Sequence, residues 1–215
     1  KKTYVTHLGY DSDRFNTKIS KNDVRRIQKK YSIVSDYILY IGTLKPSKNV
    51  EGLLDAFYKV RVKYPNIQLV VAGKKGWLYN TIFEKAKKLD IVSHVIFTDY
   101  MVEEDKPALI RGAKVFVTPS YWEGFGLDIL NAMGCGVPVV ASNVGSLPEV
   151  LGSAGILVNP KDYDSIATGI EKVLSASKFQ YNMIVAYGLK QAAKFSWDKT
   201  ALKTLGILER SVTKK

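Results

Sequence analysis

Short apolar runs alternate with segments of helical period through the middle of the chain, and this alternation limits the fold more than any other feature. The runs cover residues 37–41, 67–72, 95–98, 115–118 and 137–140. Between the first two, apolar residues recur at near-helical spacing, and Pro65 ends that helix before the next run. Apolar runs with connections of this length are typical of parallel strands that are buried on both faces. The sequence therefore predicts an α/β fold, with a parallel sheet and helices on both of its faces.

The two ends of the chain differ from this middle part. The first 30 or so residues are polar and basic with several turn formers, and the pattern after about Leu174 is helical only. We predict a lead-in or linker over residues 1–30, the sheet domain over 31–178, and C-terminal helices over 179–215. The chain opens at Lys1 without a methionine or an apolar signal-peptide core, so we expect an upstream domain to be missing.

The positive net charge of the chain limits the classes of partner that it is expected to bind. A net charge of +12 favours an anionic partner, which leaves a nucleoside diphosphate, an acidic membrane surface or a nucleic acid. Nucleic acid is the weakest of these, because no helix-turn-helix, zinc or stacking signature accompanies the charge. No run approaches the roughly 18 apolar residues of a membrane span, and the single Cys135 cannot form an internal disulfide. We predict a cytoplasmic protein, and contact with the inner face of a membrane stays open.

The first candidate site follows the first predicted strand. Gly42 ends that strand, a turn follows, and Lys48 stands just before the next helix. A glycine lets a ligand approach the backbone, and a lysine beside a helix start supplies a point charge for phosphate. An ordinary loop with a surface lysine remains the alternative. The Walker phosphate loop and the dinucleotide glycine pattern are both absent, and the second absence argues against an NAD-dependent dehydrogenase.

The second candidate site follows the fourth predicted strand. Gly124 and Gly126 bracket Phe125, and a helix begins near Leu127. A helix start preceded by glycines is an anion site, since free N–H groups and the helix dipole favour negative charge. Glu123 precedes this helix and Asn131 lies near its end, a separation that suits one contact to a sugar and one to a ribose. A helix cap or a solvated carboxylate remains the alternative for Glu123.

Four segments together resemble a known family. Residues 42–56, 69–77, 95–131 and 145–150 resemble the C-terminal domain of the "group 1" family of retaining glycosyltransferases, which have the two-domain GT-B architecture. The most specific match is Glu-Gly-Phe-Gly-Leu followed by Gly-Val-Pro-Val-Val, and Gly73-Lys74-Lys75-Gly76-Trp77 looks like the variant in mannosyltransferases. The resemblance implies a Rossmann-like parallel sheet with helices on both faces, one half of a GT-B enzyme, with C-terminal helices.

The resemblance also implies roles for residues. Glu123 would contact the donor sugar, Lys48 would neutralise the diphosphate, and the main chain near Val102 would contact the base. Lys48 and Glu123 would be the catalytic residues, because catalysis in this family consists mainly of stabilising the leaving nucleoside diphosphate. No metal or other cofactor is expected. The implied donor-binding residues are Gly42, Thr43, Lys48, Gly73, Val102, Glu123, Gly124, Phe125, Gly126, Leu127 and Asn131.

Three residues depart from the family pattern. Asn131 stands where the family has a second glutamate, and an amide lacks the charge-assisted bonds that a carboxylate makes to ribose. Thr43 replaces a frequent arginine, and Asp128 replaces a proline and adds negative charge near the proposed diphosphate. These departures keep an alternative open, which is a nucleotide-binding or interaction module that has lost catalysis.

The predicted function is transfer of a hexose, with mannose as one option, from a nucleoside-diphosphate sugar. The acceptor would be a glycan or a lipid-linked glycan that the missing N-terminal domain holds, so this fragment alone would transfer little. His7 and His94 are not assigned a catalytic role, because the family's catalytic histidine region lies in that N-terminal domain. Glu149 could either reach the site or cap a short helix.

Overall fold

Residues 3–212 are described by a computed structural model, in which a parallel sheet is covered by helices on both faces. The ends of the predicted lead-in and C-terminal segment, residues 1–2 and 213–215, lie outside the described residues. The strands are β1 (Tyr37–Ile41), β2 (Gln68–Ala72), β3 (Val95–Phe97), β4 (Val115–Thr118), β5 (Val139–Ser142) and β6 (Ile156–Val158). The helices are α1 (Lys21–Lys30), α2 (Val50–Lys63), α3 (Asn80–Lys88), α4 (Lys106–Arg111), α5 (Leu127–Gly134), α6 (Leu147–Leu151), α7 (Tyr163–Leu174), α8 (Lys178–Ala192) and α9 (Trp197–Val212).

The sheet has the strand order β3-β2-β1-β4-β5-β6, and all its pairs are parallel. The chain moves outward from β1 through β2 to β3, returns to the other side of β1 as β4, and continues outward again. The order of the strands therefore reverses between β1 and β4. In open sheets of this kind, ligands bind in the crevice beyond the carboxyl ends of the two strands at the reversal.

The side chains of β1 show why both faces of the sheet need helices. Tyr37 and Leu39 join a buried cluster with residues of α1, α4, α5, α6 and α8. Ile38 and Tyr40 point to the opposite face and join a second cluster, formed with α2, α3 and α7. Because successive strand residues face opposite sides, a run that is apolar throughout can be buried only between two helical layers. The predicted α/β fold is confirmed.

Two elements were not predicted from the sequence. The strand β6 has three residues at the edge of the sheet, and Leu157 at its centre is exposed, so its short apolar segment was not identified from the sequence. The helix α1 lies within the predicted lead-in and has only Val24 and Ile27 as apolar residues. Ser20 caps α1, and Ile27 is fully buried in the core.

The proposed domain boundaries stay a prediction. None of the helices within residues 3–212 is long and apolar enough to cross a membrane.

A buried carboxylate ties α1 to the loop before α4. Asp105 is almost completely buried, accepts a hydrogen bond from Tyr31 Oη at 2.7 Å, and pairs with Lys30 Nζ. Burial raises the pKa of the Asp105 carboxyl, but the bonds from Lys30 and Tyr31 outweigh this effect and hold the pKa below its ordinary value. The charged form of Asp105 therefore stabilises the fold.

We expect Asp105→Asn to lower the free energy of unfolding by about 1–3 kcal/mol at pH 7, because it removes the charge that Lys30 and Tyr31 satisfy. A carboxyl with a lowered pKa in the folded state stabilises the fold above its unfolded pKa of about 4, and this contribution is lost as the pH falls further. Denaturant titrations at pH 7 and pH 3 should show the difference between wild type and variant shrinking at the lower pH.

The neighbouring Glu104→Gln is the matched control, because Glu104 is exposed in the same loop. Its effect should stay within about 0.5 kcal/mol at both pH values. Equal stability of Asp105→Asn and wild type at pH 7 would show that this carboxylate does not hold α1 in place.

Candidate functional site

A cavity of about 440 Å³ opens beyond the carboxyl ends of β1 and β4, where the strand order reverses. Most of the residues predicted from the sequence line it. They are Gly42, Thr43, Lys48, Glu123, Phe125, Gly126 and Leu127. Gly73, Val102, Gly124 and Asn131 were also predicted as donor-binding residues but do not line this cavity. We call the cavity the strand-end cleft.

Lys48 and Glu123 meet across the strand-end cleft. Lys48 Nζ lies 2.5 Å from Glu123 Oε1, and both side chains are largely buried. Ser120 Oγ donates to the same carboxylate oxygen at 2.8 Å, and Ser120 itself is fully buried. The two predicted catalytic residues, which are far apart in the sequence, are thus in direct contact. Their neighbour Ser120 was not predicted, because no sequence pattern marks it.

The loops that carry this pair are joined beneath it. Asn49 is buried with a left-handed backbone (φ 54°), and its side-chain amide donates to Pro119 O at 3.0 Å and to Pro160 O at 2.7 Å. The Tyr121 N–H donates to Ser47 O at 2.9 Å, which adds a second link between the two loops. An asparagine tolerates the left-handed region better than most residues and supplies an amide donor, so Asn49 fixes the position of the adjacent Lys48.

The start of α5 forms one wall of the cleft. Gly126 is its N-cap with φ 94°, and a Cβ there would lie 2.7 Å from Leu147 Cδ2, so a side chain would be strained and crowded. The Ile129 N–H donates to Gly126 O at 3.2 Å, and the N–H groups before it at this helix start favour an anion. Ser146 Oγ donates to Glu123 O at 3.1 Å and holds the main chain just before this helix start.

A second ion pair compensates the charge that Asp128 adds to the first turn of α5. Lys106 Nζ lies 2.7 Å from Asp128 Oδ1, and the lysine side chain is mostly buried. Asn131 is also buried, and its amide nitrogen lies 3.4 Å from the same Asp128 oxygen. The carboxylate that lines the cleft at this end is therefore Asp128, while Asn131 lies behind it. Lys106 was not identified from the sequence, because it belongs to α4.

The glycines at the ends of β1 and β2 allow close contacts that a side chain would block. A Cβ at Gly73 would lie 2.0 Å from Gly42 O, and a Cβ at Gly42 would lie 2.6 Å from Tyr40 Oη. The Tyr40 hydroxyl is buried and has no hydrogen-bond partner among the described residues. Burial raises the pKa of Tyr40, and Glu123 and Asp128 add to this effect, so the hydroxyl stays a neutral donor below the cleft.

The other residues singled out in the sequence lie around this centre. Val102 is partly exposed before α4, and its carbonyl accepts from the Asp105 N–H at 3.1 Å. Glu149 lies in the first turn of α6 and pairs with His7, whose Nε2 is 2.6 Å from Glu149 Oε1. Cys135 is buried, and burial raises its thiol pKa to about 12, which excludes a thiolate nucleophile near neutral pH.

The opposite end of the sheet also has a cavity. A larger cavity of about 660 Å³ lies at the amino ends of the strands, next to Asp36, Ile67 and Lys114, and none of the predicted donor-binding residues lines it. Within residues 3–212, no group of three or more His, Cys, Asp or Glu side chains could hold a metal ion. The strand-end cleft is therefore the cavity that the predicted Gly42, Lys48 and Glu123 line together.

Comparisons with known proteins identify a family and a curated relative for this chain. The family described as "Glycosyl transferases group 1" matches residues 23–190. The O-antigen chain mannosyltransferase B of Escherichia coli is 40% identical over 184 residues, which cover 83% of this chain and 47% of that protein. The chain therefore spans about half the length of this curated relative.

Solved structures share the fold. The C-terminal domain of the group 1 family glycosyl transferase LpcC from Francisella tularensis has a TM-score of 0.75 and 26% identity, and the match covers 86% of this chain and 97% of that one. Anabaena Alr3699/HepE in complex with UDP and glucose has a TM-score of 0.86 and 21% identity, over 96% of this chain and 56% of that one. With the Rossmann-like half of the GT-B architecture confirmed and the family model matching most of its length, the chain belongs to the group 1 glycosyltransferases.

Proposed function

We propose that this chain is the donor-binding domain of a retaining glycosyltransferase that transfers a hexose from a nucleoside-diphosphate sugar. The observation that carries the proposal is the contact between Lys48 and Glu123 beside the start of α5, in the cleft where the strand order reverses. Such a cleft combines a cation and free N–H groups for a diphosphate with a carboxylate for sugar hydroxyls. Anabaena Alr3699/HepE, which shares the fold, was solved in complex with UDP and glucose.

The donor would lie with its diphosphate between Lys48 and the first turn of α5. Glu123 would then accept hydrogen bonds from hydroxyl groups of the sugar, and the base would extend toward the main chain near Val102. Lys48 and Glu123 contact each other, so a donor that binds both would exchange this contact for its own phosphate and hydroxyl groups. Lys48 would exchange the carboxylate for a phosphate, and Glu123 would exchange the ammonium group for sugar hydroxyls, so neither is left buried and unpaired.

Catalysis would follow from the same contacts. As the bond between the sugar and the diphosphate breaks, negative charge grows on the leaving phosphate, and Lys48 with the helix N–H groups stabilises it. These protein groups perform the step in the proposal without a metal ion or another cofactor. Retention at the anomeric carbon is part of this proposal.

The transferred sugar and its acceptor are proposed from the relatives. Mannose is the preferred hexose, because the relative that is 40% identical is a mannosyltransferase of an O-antigen chain. The acceptor would be a glycan or a lipid-linked glycan held by a further domain of the parent protein. Cytoplasmic placement, with peripheral contact to the membrane that carries such an acceptor, belongs to the same proposal.

The alternative of a module that has lost catalysis rests on Thr43, Asp128 and Asn131. The pairing of Asp128 with Lys106 weakens one of these three reasons, since it compensates the negative charge near the diphosphate. Assays of the parent protein for donor hydrolysis and transfer separate the two functions. An inactive module would bind the donor without turnover.

We expect Lys48→Ala to weaken the binding of the cognate nucleoside diphosphate by about 10- to 150-fold, because a charge-assisted bond contributes about 1.5–3 kcal/mol. Calorimetric titration with GDP, UDP and ADP, and then with their sugar conjugates, measures this and identifies the base. Lys88→Ala, on the exposed side of α3, is the control and should leave the affinity unchanged.

Glu123→Gln separates the sugar contact from the phosphate contact. The nucleoside-diphosphate sugar should bind about 10-fold more weakly, while the free nucleotide binds as well as before or more tightly, because Lys48 loses its competing partner. Unchanged binding in both Lys48→Ala and Glu123→Gln would remove the strand-end cleft as the donor site.

Ser120→Ala tests whether the buried hydroxyl orients Glu123. We expect the affinity for the nucleotide sugar to fall by about 2- to 12-fold, since one hydrogen bond contributes about 0.5–1.5 kcal/mol, while the affinity for the free nucleotide stays constant. Ser142→Ala is a matched control, because this serine is equally buried and its hydroxyl bonds to the Thr118 carbonyl instead. Equal losses in the two variants would indicate a general packing effect.

A further inference from the structure

A second basic cavity lies next to the strand-end cleft. It has a volume of about 370 Å³ and is formed where the N-terminal segment meets the end of α8 and the start of α9. Three lysines line it, Lys194, Lys199 and Lys203, and we call it the lysine pocket. The one carboxylate among its lining residues is Glu149, which is paired with His7.

None of the three lysines forms an ion pair with a carboxylate of the described residues, since Glu149 contacts His7 instead. Lys194 Nζ donates to the neutral amide oxygen of Gln191 at 2.7 Å. Lys199 Nζ donates to two main-chain carbonyls at the end of α8, Ala193 O at 3.0 Å and Lys194 O at 3.3 Å. Lys203 makes no ion pair or hydrogen bond within residues 3–212. Neutral acceptors position two of the ammonium groups without cancelling their charge, so the pocket attracts anions.

The pocket is built into the fold. Thr200 Oγ1 donates to His7 O at 2.6 Å and fastens the N-terminal segment to α9. The N–H of Lys199 donates to Ser196 Oγ at 3.2 Å, which fixes the first turn of α9 beside the pocket. The lysines are therefore carried by two helices that the N-terminal segment fixes together.

A thin wall separates the lysine pocket from the strand-end cleft. Leu8 lines both cavities. Phe125, which lines the cleft, has its ring centroid 6.2 Å from that of His7 and 6.0 Å from that of Phe195, and both of these rings line the pocket. An anion in the pocket would thus lie one layer of side chains away from a sugar bound beside Glu123.

We infer that the lysine pocket binds a phosphate group carried by the acceptor, either a prenyl-linked diphosphate or a phosphorylated sugar. Its assignment to the acceptor rests on the proposed donor site, because the acceptor must reach the sugar from beside the cleft. The binding of an anion in the pocket does not depend on that function. The two statements can therefore fail separately.

The two histidines of the chain provide a direct measurement. His7 lines the pocket, whereas His94 lies in a short 3₁₀ helix (Val92–His94) and contacts Arg61. Titration with inorganic pyrophosphate at constant pH, followed by NMR of the histidine rings, should shift the His7 signals saturably and leave those of His94 unchanged. The shift should persist in Lys48→Ala, in which the strand-end cleft has lost its lysine. Its loss there would overturn the pocket as a separate site.

The double variant Lys194→Gln with Lys203→Gln removes two charges from the pocket. Pyrophosphate should bind about 2- to 25-fold more weakly, because each exposed contact between a lysine and an anion contributes a factor of about 1.5 to 5. Lys87→Gln with Lys190→Gln is the control, since it removes the same charge from exposed positions outside the pocket. Equal weakening in both double variants would overturn the proposal, as it would indicate only the net charge.

Two organic phosphates then test the acceptor and distinguish its sources. Tighter binding of farnesyl diphosphate than of pyrophosphate would support a prenyl-linked acceptor, and tighter binding of mannose 1-phosphate would support a phosphorylated sugar. If neither binds more tightly than pyrophosphate, the assignment to the acceptor is wrong. Absence of nucleotide binding together with an intact His7 response would instead contradict the proposed donor site and keep the pocket as an anion site.

Discussion

The reversal of strand order between β1 and β4 is the constraint on which the site depends. The connections leave these two neighbouring strands toward opposite sides of the sheet, so their loops diverge and a cleft opens at the strand ends. Asn49 ties together the loops around that cleft by donating to the carbonyls of Pro119 and Pro160. Lys48, the residue before it, then faces Glu123 because the main chain on both sides is fixed.

The ion pairs of the cleft explain how charged groups can lie in partly buried positions. Lys48 with Glu123 and Lys106 with Asp128 each place opposite charges together in partly buried positions. An unpaired charge at such a depth is costly, whereas paired groups can exchange partners with a ligand that offers both phosphates and hydroxyls. Ser120 contributes to the same balance, since its hydroxyl donates to the Glu123 carboxylate at 2.8 Å.

The parts of the molecule that follow local patterns could be predicted from the sequence. Long apolar runs gave five of the six strands, and glycines beside a strand end or a helix start indicated both halves of the cleft. Contacts between distant segments could not be predicted in this way. Lys106 compensates Asp128 from another helix, and Asn49 has its role only because the Pro119 and Pro160 carbonyls lie within its reach. Helix α1 was not predicted, because it has no apolar stripe. It is held by the buried Ile27 and by Asp105.

The positions of the lysines show which part of the surface can attract anions, which the net charge alone does not. Several lysines on the helices form ion pairs with acidic residues at the surface, such as Lys59 with Asp164 and Lys85 with Asp55. The lysines at the junction of α8 and α9 instead contact neutral oxygens or none of the described groups. Since exposed charges act over about a Debye length of 8 Å in physiological salt, only an excess beside the cleft affects the ligands that arrive there. Part of the helix surface is thus paired with acidic residues, whereas the three lysines next to the strand-end cleft are not.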